Sequence, residues 1–313
     1  MTTSTPTAGE TPGGAAADDA AIKGTQPSKS APDDRRGSPL VRGVVLAMCL
    51  VWTIPTIGLL VSSFRTRTAV TGSGWWTVLA SPLDFTQWTV QNYGDVLFNS
   101  GMGQSFINTA IVTIPATVIP ITAAAFAAYA FSWMRFPGRE MLFVLFVGLL
   151  VVPTQITFIP LLQRFGNLGI TGTFLSVWLA HTGFGMPLAV YLLRNYMGSL
   201  PREVIESAKV DGASEFQTFT RLILPLSAPA LAAFAIFQFL WVWNDFIHAL
   251  VFLGALPDVK VMTVNLAELI GQRGQDWHLL TAGAFVTMIM PMIVFFSLQR
   301  FFVRGMTAGS VKG

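Results

Sequence analysis

Chemistry in an apolar chain is carried by the few polar groups that interrupt the apolar runs. Asp245 is the one carboxylate well inside such a run, with Asn244 before it and His248 three residues after it. An ionisable group at that depth is expensive, so it faces a cavity or a partner. Two readings follow from the residue types. Asn244 and Asp245, with Gln238 or Trp243, line a path for a hydroxylated solute, by hydrogen bonds and by stacking on its rings. Alternatively they are helix-packing contacts, with interhelical hydrogen bonds of roughly 1 kcal/mol each. Gln155, flanked by Pro153 and Pro160, poses the same choice. A third reading makes Asp245 and His248 a proton relay in a transporter working alone. His181, His248 and His278 have no ligand partner at metal spacing except Asp245 before His248, so no metal is expected, and His181 reads as a satisfied polar contact. There is no phosphate-binding G-x-x-x-x-G-K-[ST] loop and not even a Gly-Lys dipeptide, so this chain does not cradle ATP. No enzyme signature and no cofactor motif is found.

A second concentration of chemistry is the charged island Leu200–Pro229, between two apolar segments. Arg202, Glu203, Glu206 and Lys209 fill one side of a helix, and Val204, Ile205 and Ala208 form a stripe on the other. Pro201 suits a first helical turn, and Gly212 suits the left-handed residue that ends a helix. A second helix is expected to restart at Ala213 or Ser214, with Phe216, Phe219 and Ile223 on one face and Pro225 closing it. The product is a helix-turn-helix knob. Residues 201–221 hold Arg202, Lys209 and Arg221 against Glu203, Glu206, Asp211 and Glu215. A lipid-surface helix carries an excess of basic residues, so an acidic knob is a better protein plug than a membrane anchor.

The elements that must position these groups are membrane spans. The chain is 52% hydrophobic and 11% charged with a mean hydropathy of +0.59, too apolar for a soluble domain of 313 residues. The fold class expected is all-α, a polytopic bundle of six transmembrane helices near 40–63, 104–133, 141–162, 173–195, 226–253 and 279–303. Each has the ~20 apolar residues that cross ~30 Å of hydrocarbon. Pro115 and Pro120 should kink or break the second. Residues 1–38 are rich in Ala, Thr, Pro, Gly, Ser and Asp and read as a disordered tail; without the apolar core of a signal peptide, the first span is expected to direct insertion and to stay uncleaved. With the tail inside, fourteen of the nineteen Lys and Arg residues fall on inner segments, leaving Arg65, Arg67, Arg164, Lys260 and Arg273 outside. That bias places the tail, the knob and the C-terminal segment 304–313 in the cytoplasm. Segment 64–103, with Trp75, Trp76, Trp88 and Tyr93, is expected to lie along the outer membrane surface. The basic residues are scattered rather than gathered on one face, which argues against nucleic acid. Cys49 stands alone, excluding an intrachain disulfide.

The knob resembles the cytoplasmic loop of the membrane subunits of binding-protein-dependent ABC importers, whose pattern is E-A-A, three residues, G, nine residues, I-x-L-P. Here it reads Glu206-Ser207-Ala208, Gly212, then Leu222-Ile223-Leu224-Pro225 at that spacing, with Ser207 and Leu222 as departures. Ala127–Ala130, Arg135–Arg139, Val152–Gln155, Ile159–Leu161 and Trp243–Phe246 look like the carbohydrate branch, so the likeness covers about 104–303. The resemblance implies a permease subunit that couples transport to ATP hydrolysis on other chains through Glu206, Ala208, Asp211 and Gly212. It also implies, beside the lipid bilayer and the sugar itself, four partners: a second permease chain, two copies of an ATPase and an extracytoplasmic sugar-binding protein. Gly101–Gln104 and Ala123–Arg139 favour maltose or another α-glucoside, with another sugar or glycerol phosphate as the alternative.

Overall fold

The computed structural model describes residues 38–269 and 276–308, with 300–308 described by their backbone alone. The expected tail therefore lies almost wholly outside the described residues, as do Arg273 and residues 309–313. Two units divide the chain, Met1–Trp52 and Thr53–Gly313. The described part of the first is the opening of one helix, Pro39–Ser63.

Every long element among the described residues is helical. Four helices, Pro39–Ser63, Met102–Trp133, Phe174–Gly198 and Trp277–Gln299 within the longer Trp277–Ala308, are long and apolar enough to cross a membrane unaided. Two bent helix pairs meet the same length and composition only when each is taken together, Arg139–Leu149 with Thr154–Asn167 at 101° and Glu215–Leu226 with Ala228–Trp243 at 71°, the second beginning in the knob. The segment expected as one span near 141–162 is thus two helices set at 101°. Pro153 lacks an N–H and holds Val152 away from helical backbone, so the chain turns between Leu149 and Thr154. The 226–253 segment also departs, because its helix stops at Trp243 and restarts as Ile247–Phe252. Of the kink or break expected at Pro115 and Pro120, no break occurs; both sit inside one continuous helix, Met102–Trp133. Pro225 does not close the second knob helix either. A wide π turn over Phe219–Ile223 leads into Leu224–Leu226, and the bend falls at Ser227.

The helix Met102–Trp133 is the hub of the larger unit. Ala124, Ala125, Ala128 and Ala189 are buried where it meets Phe174–Gly198, and such small side chains let helix backbones approach closely in a bilayer, where dispersion rather than water exclusion drives packing. Gly185 serves the same end at a tighter point. A Cβ added there would lie 2.9 Å from the amide of Gln238, whose Nε2 donates to the Ala116 carbonyl at 3.1 Å.

The opposite end of the hub is tied to the loop after Ile247–Phe252. Asn108 Nδ2 donates to the carbonyls of Asp258 and Lys260 at 3.0 and 2.9 Å, and the Met262 N–H donates to Thr109 Oγ1 at 2.9 Å. Asn265 Nδ2 reaches the Ser100 carbonyl at 3.1 Å and Ser105 Oγ at 2.9 Å. Segment 64–103 folds into short helices around a buried Arg65, which donates to the carbonyls of Ser73 and Gly74 and to Ser73 Oγ. Its Trp76, Leu79, Leu83, Phe85 and Phe98 remain exposed.

Candidate functional site

The helix break at 244–246 follows from the side chains at it. Asn244 Nδ2 folds back to donate to the Leu240 carbonyl at 2.8 Å, closing the first helix. Asp245 turns its carboxylate onto the next one, accepting the Ala249 N–H on Oδ2 at 3.0 Å, so it satisfies a donor that has no helical partner. Thr263 Oγ1 donates to the Asp245 carbonyl at 2.6 Å, which anchors the break to the 262–268 helix. His248 Nδ1 lies 2.7 Å from Asp245 Oδ1, and His181 Nε2 lies 3.7 Å from Oδ2. A ring of aromatic side chains surrounds the three. Trp241 stands edge-on to His181 with centroids 5.0 Å apart, and Phe158 and Phe184 stand 4.9 and 5.4 Å from His248.

The polar residues expected on a solute path separate into two groups. Gln238 is fully buried and held by Ala116, while Trp243 is 2% exposed, donates from Nε1 to the Thr287 carbonyl at 3.0 Å and stacks on Phe239. Both are buried among neighbouring helices of this chain. Asn244 and Gln155 are exposed, and Asp245 lies between the groups at 9% side-chain exposure. His181, read as a satisfied contact, is fully buried with no hydrogen-bond partner at either ring nitrogen. It enters from the helix Phe174–Gly198, and nothing in the local spacing around Asp245 and His248 could have announced it.

The knob is built as a rigid reversal. Helix Arg202–Val210 ends at Asp211, and Gly212 takes φ +77°. The Ala213 N–H donates to the Ala208 carbonyl at 3.0 Å and the Gly212 N–H to that of Lys209 at 3.1 Å, the paired bonds of a left-handed helix stop. The next helix begins with reciprocal bonds between Ser214 and Gln217, which satisfy two free donors at its start. Ile205 is buried against the bundle, and Phe219 packs between Phe126 and Tyr129 with centroids 4.7 and 5.2 Å away. Glu206, Asp211 and Gly212 are exposed at the tip, Ala208 is half-buried, and Val210 and Phe216 present bare apolar surface.

Glu215 ties this tip to the hub. Its carboxylate accepts from Tyr129 Oη and, at 2.9 Å, from Lys209 Nζ. The Tyr129 bond first and the Lys209 contacts second hold its carboxyl below the ordinary glutamate range. The sequence pattern did not mark this residue, because its partner on the hub is remote in the chain.

Comparison with known proteins places these features in context. The family model described as "Binding-protein-dependent transport system inner membrane component" matches residues 120–308. The osmoprotective compounds uptake permease protein GgtD of Synechocystis is 59% identical, over 86% of this chain and 90% of its own. The α-glucoside transport system permease protein AglG of Rhizobium meliloti is 44% identical, over 89% and 99%. In fold, the chain is similar to a chain from the crystal structure of a bacterial ABC transporter involved in the import of the acidic polysaccharide alginate. That match has a TM-score of 0.67, 23% identity, and covers 88% of this chain and 99% of that one.

Proposed function

We propose a transport role from one premise: this chain belongs to the family of binding-protein-dependent transport system inner membrane components. It is a multi-pass permease subunit of an ABC importer for sugars or related solutes, a translocation component rather than an enzyme. The finer reading is that it takes up an α-glucoside, forms half of the path with a second permease chain, and receives solute from an extracytoplasmic binding protein. Two ATPase subunits drive it from the cytoplasmic side, where the tail and the C-terminal segment also lie. The knob is their contact, with Glu206, Ala208, Asp211 and Gly212 at the joint.

The observation that carries this reading is the knob itself: an exposed, acidic tip on a rigid turn, pinned to the hub helix by Phe219 and Glu215. A plug that pushed on by a partner moves as one body with Met102–Trp133 converts closure of the ATPases into a tilt of the spans. ATP binding then favours the outward-facing arrangement and hydrolysis resets it. Asn244 and Gln155, exposed beside the helix breaks, are the path residues this geometry favours, because discontinuous helices leave backbone carbonyls free to meet a polar solute.

A second substrate reading has a specific basis in the 59% identity to an osmoprotective compounds uptake permease. Uptake of labelled maltose by cells expressing the full transporter, with α-glucosides or osmoprotective compounds as unlabelled competitors, separates the two. Competition by α-glucosides is expected. Maltose left untransported, with an osmoprotective compound taken up, would replace the α-glucoside reading by the other.

A further inference from the structure

The break at 244–246 gathers more ligating chemistry than a packing contact uses. His181, Asp245 and His248 each offer one ligand atom, and these atoms all lie within 4.8 Å of one another. His181 is fully buried and neither ring nitrogen has a hydrogen-bond partner; the 3.7 Å from Nε2 to Asp245 Oδ2 is too long for one. His248 spends Nδ1 on Asp245 and leaves a buried Nε2 with none. Among the described residues the only ion-pair partners of Asp245 are these two histidines.

We propose that His181, Asp245 and His248 form a binding site for a divalent transition-metal ion of the Zn2+ class, clamping the helix Phe174–Gly198 to the break between Ala228–Trp243 and Ile247–Phe252. Two imidazoles and one carboxylate are the donors that Zn2+, Co2+ and Ni2+ prefer, whereas Mg2+ and Ca2+ require a shell of oxygens. With bonds of about 2.0–2.2 Å, ligand atoms around a tetrahedral ion stand about 3.3 Å apart. With Asp245 Oδ2 as the carboxylate ligand, its 3.7 Å from His181 Nε2 is near that spacing; the 2.7 Å contact of His248 Nδ1 is to the other oxygen, Oδ1, and is given up when that nitrogen turns onto the ion, with all three ligand atoms within 4.8 Å of one another. Three protein ligands leave the fourth position to water.

The surroundings suit an ion. The Ala249 N–H fixes the orientation of the carboxylate, as outer-shell donors do for ligating acids. Phe158, Phe184 and Trp241 pack their rings against the two histidines, and apolar surroundings strengthen the attraction between cation and carboxylate. The count of ligands along the chain stopped at two because His181 comes from a different helix, so the expectation of no metal rested on local spacing alone.

The test is metal content of the assembled transporter, purified through a tag without histidines, stripped with chelator, dialysed against Zn2+ and desalted. Wild type is expected to hold one Zn2+ more per copy of this chain than either His181→Gln or His248→Gln, and Co2+ in its place should give the intense visible bands of tetrahedral coordination. Equal metal in wild type and variants would mean an adventitious ion only and would overturn the site. If the variants fail to assemble, the wild-type Co2+ spectrum decides: bands of tetrahedral intensity that Zn2+ abolishes support the site, and their absence overturns it. Neither readout depends on transport, so failure here leaves the permease reading standing, and failure of that reading leaves the metal result intact.

Discussion

At the level of single residues, Asp245 is the point where packing and function have to be separated. Its carboxylate holds the Ala249 N–H and His248 at once, and 9% exposure leaves little of it for a solute. We expect Asp245→Asn to lower the melting temperature of the assembled transporter, by the equivalent of about 1–3 kcal/mol, with the uptake KM of the surviving fraction unchanged. An unchanged melting temperature with a raised KM would instead make Asp245 a solute contact. Gly185 makes a similar statement about contact in the bundle. Gly185→Ala drives a Cβ against the Gln238 amide, which must leave the Ala116 carbonyl, and about 1–3 kcal/mol of stability should go with that bond. Gly183→Ala, with open space around its Cβ within this chain, should melt like wild type. Equal melting of the two variants would show that the close approach at Gly185 is not a constraint. These residues also show how legibility ran out. Asp245 and Gly212 were visible because depth and turn chemistry are local properties, whereas Gln238, Trp243 and His181 took their roles from partners on other helices.

Between elements, the decisive link is the one from knob to hub. Glu215 is the residue that makes the second knob helix, Lys209 on the first and Tyr129 on the hub respond together. Its carboxyl is held below the ordinary glutamate range, so the charged form contributes stability that is complete above that range and is lost as pH falls toward the depressed value. Because Glu215 is half-exposed, solvent screens the link and its worth is modest. Measured against pH, the melting temperature of wild type should exceed that of Glu215→Gln near neutrality and converge with it in acid. Parallel curves would show that the tie contributes nothing. The elements themselves were mostly legible from apolar run length, and the knob from its caps. The bends were not. Pro153 stands at a helix break whereas Pro115 and Pro120 lie inside one continuous helix, an outcome that depends on whether neighbours absorb the freed carbonyls, which no single segment reveals.

On the scale of the whole molecule, the knob and the break at 244–246 both pack against one long helix, Met102–Trp133. Four helices long enough to cross a membrane and two bent pairs are the chain's main elements, and the hub helix packs against Gln238 on the helix before the break and, through Phe126 and Tyr129, against Phe219 of the knob. What composition and pattern left open was the substrate, because a scaffold shared by α-glucoside and osmoprotectant permeases is not what distinguishes their cargo. The direct test of the knob's proposed coupling role is to reconstitute the full transporter with its binding protein into liposomes and to measure solute uptake and ATP hydrolysis in the same vesicles, comparing wild type with Gly212→Pro. Proline fixes φ near −65°, incompatible with the +77° that the knob's reversal uses. The account predicts that uptake per ATP hydrolysed collapses in the variant, and uptake per ATP equal to that of wild type would contradict it.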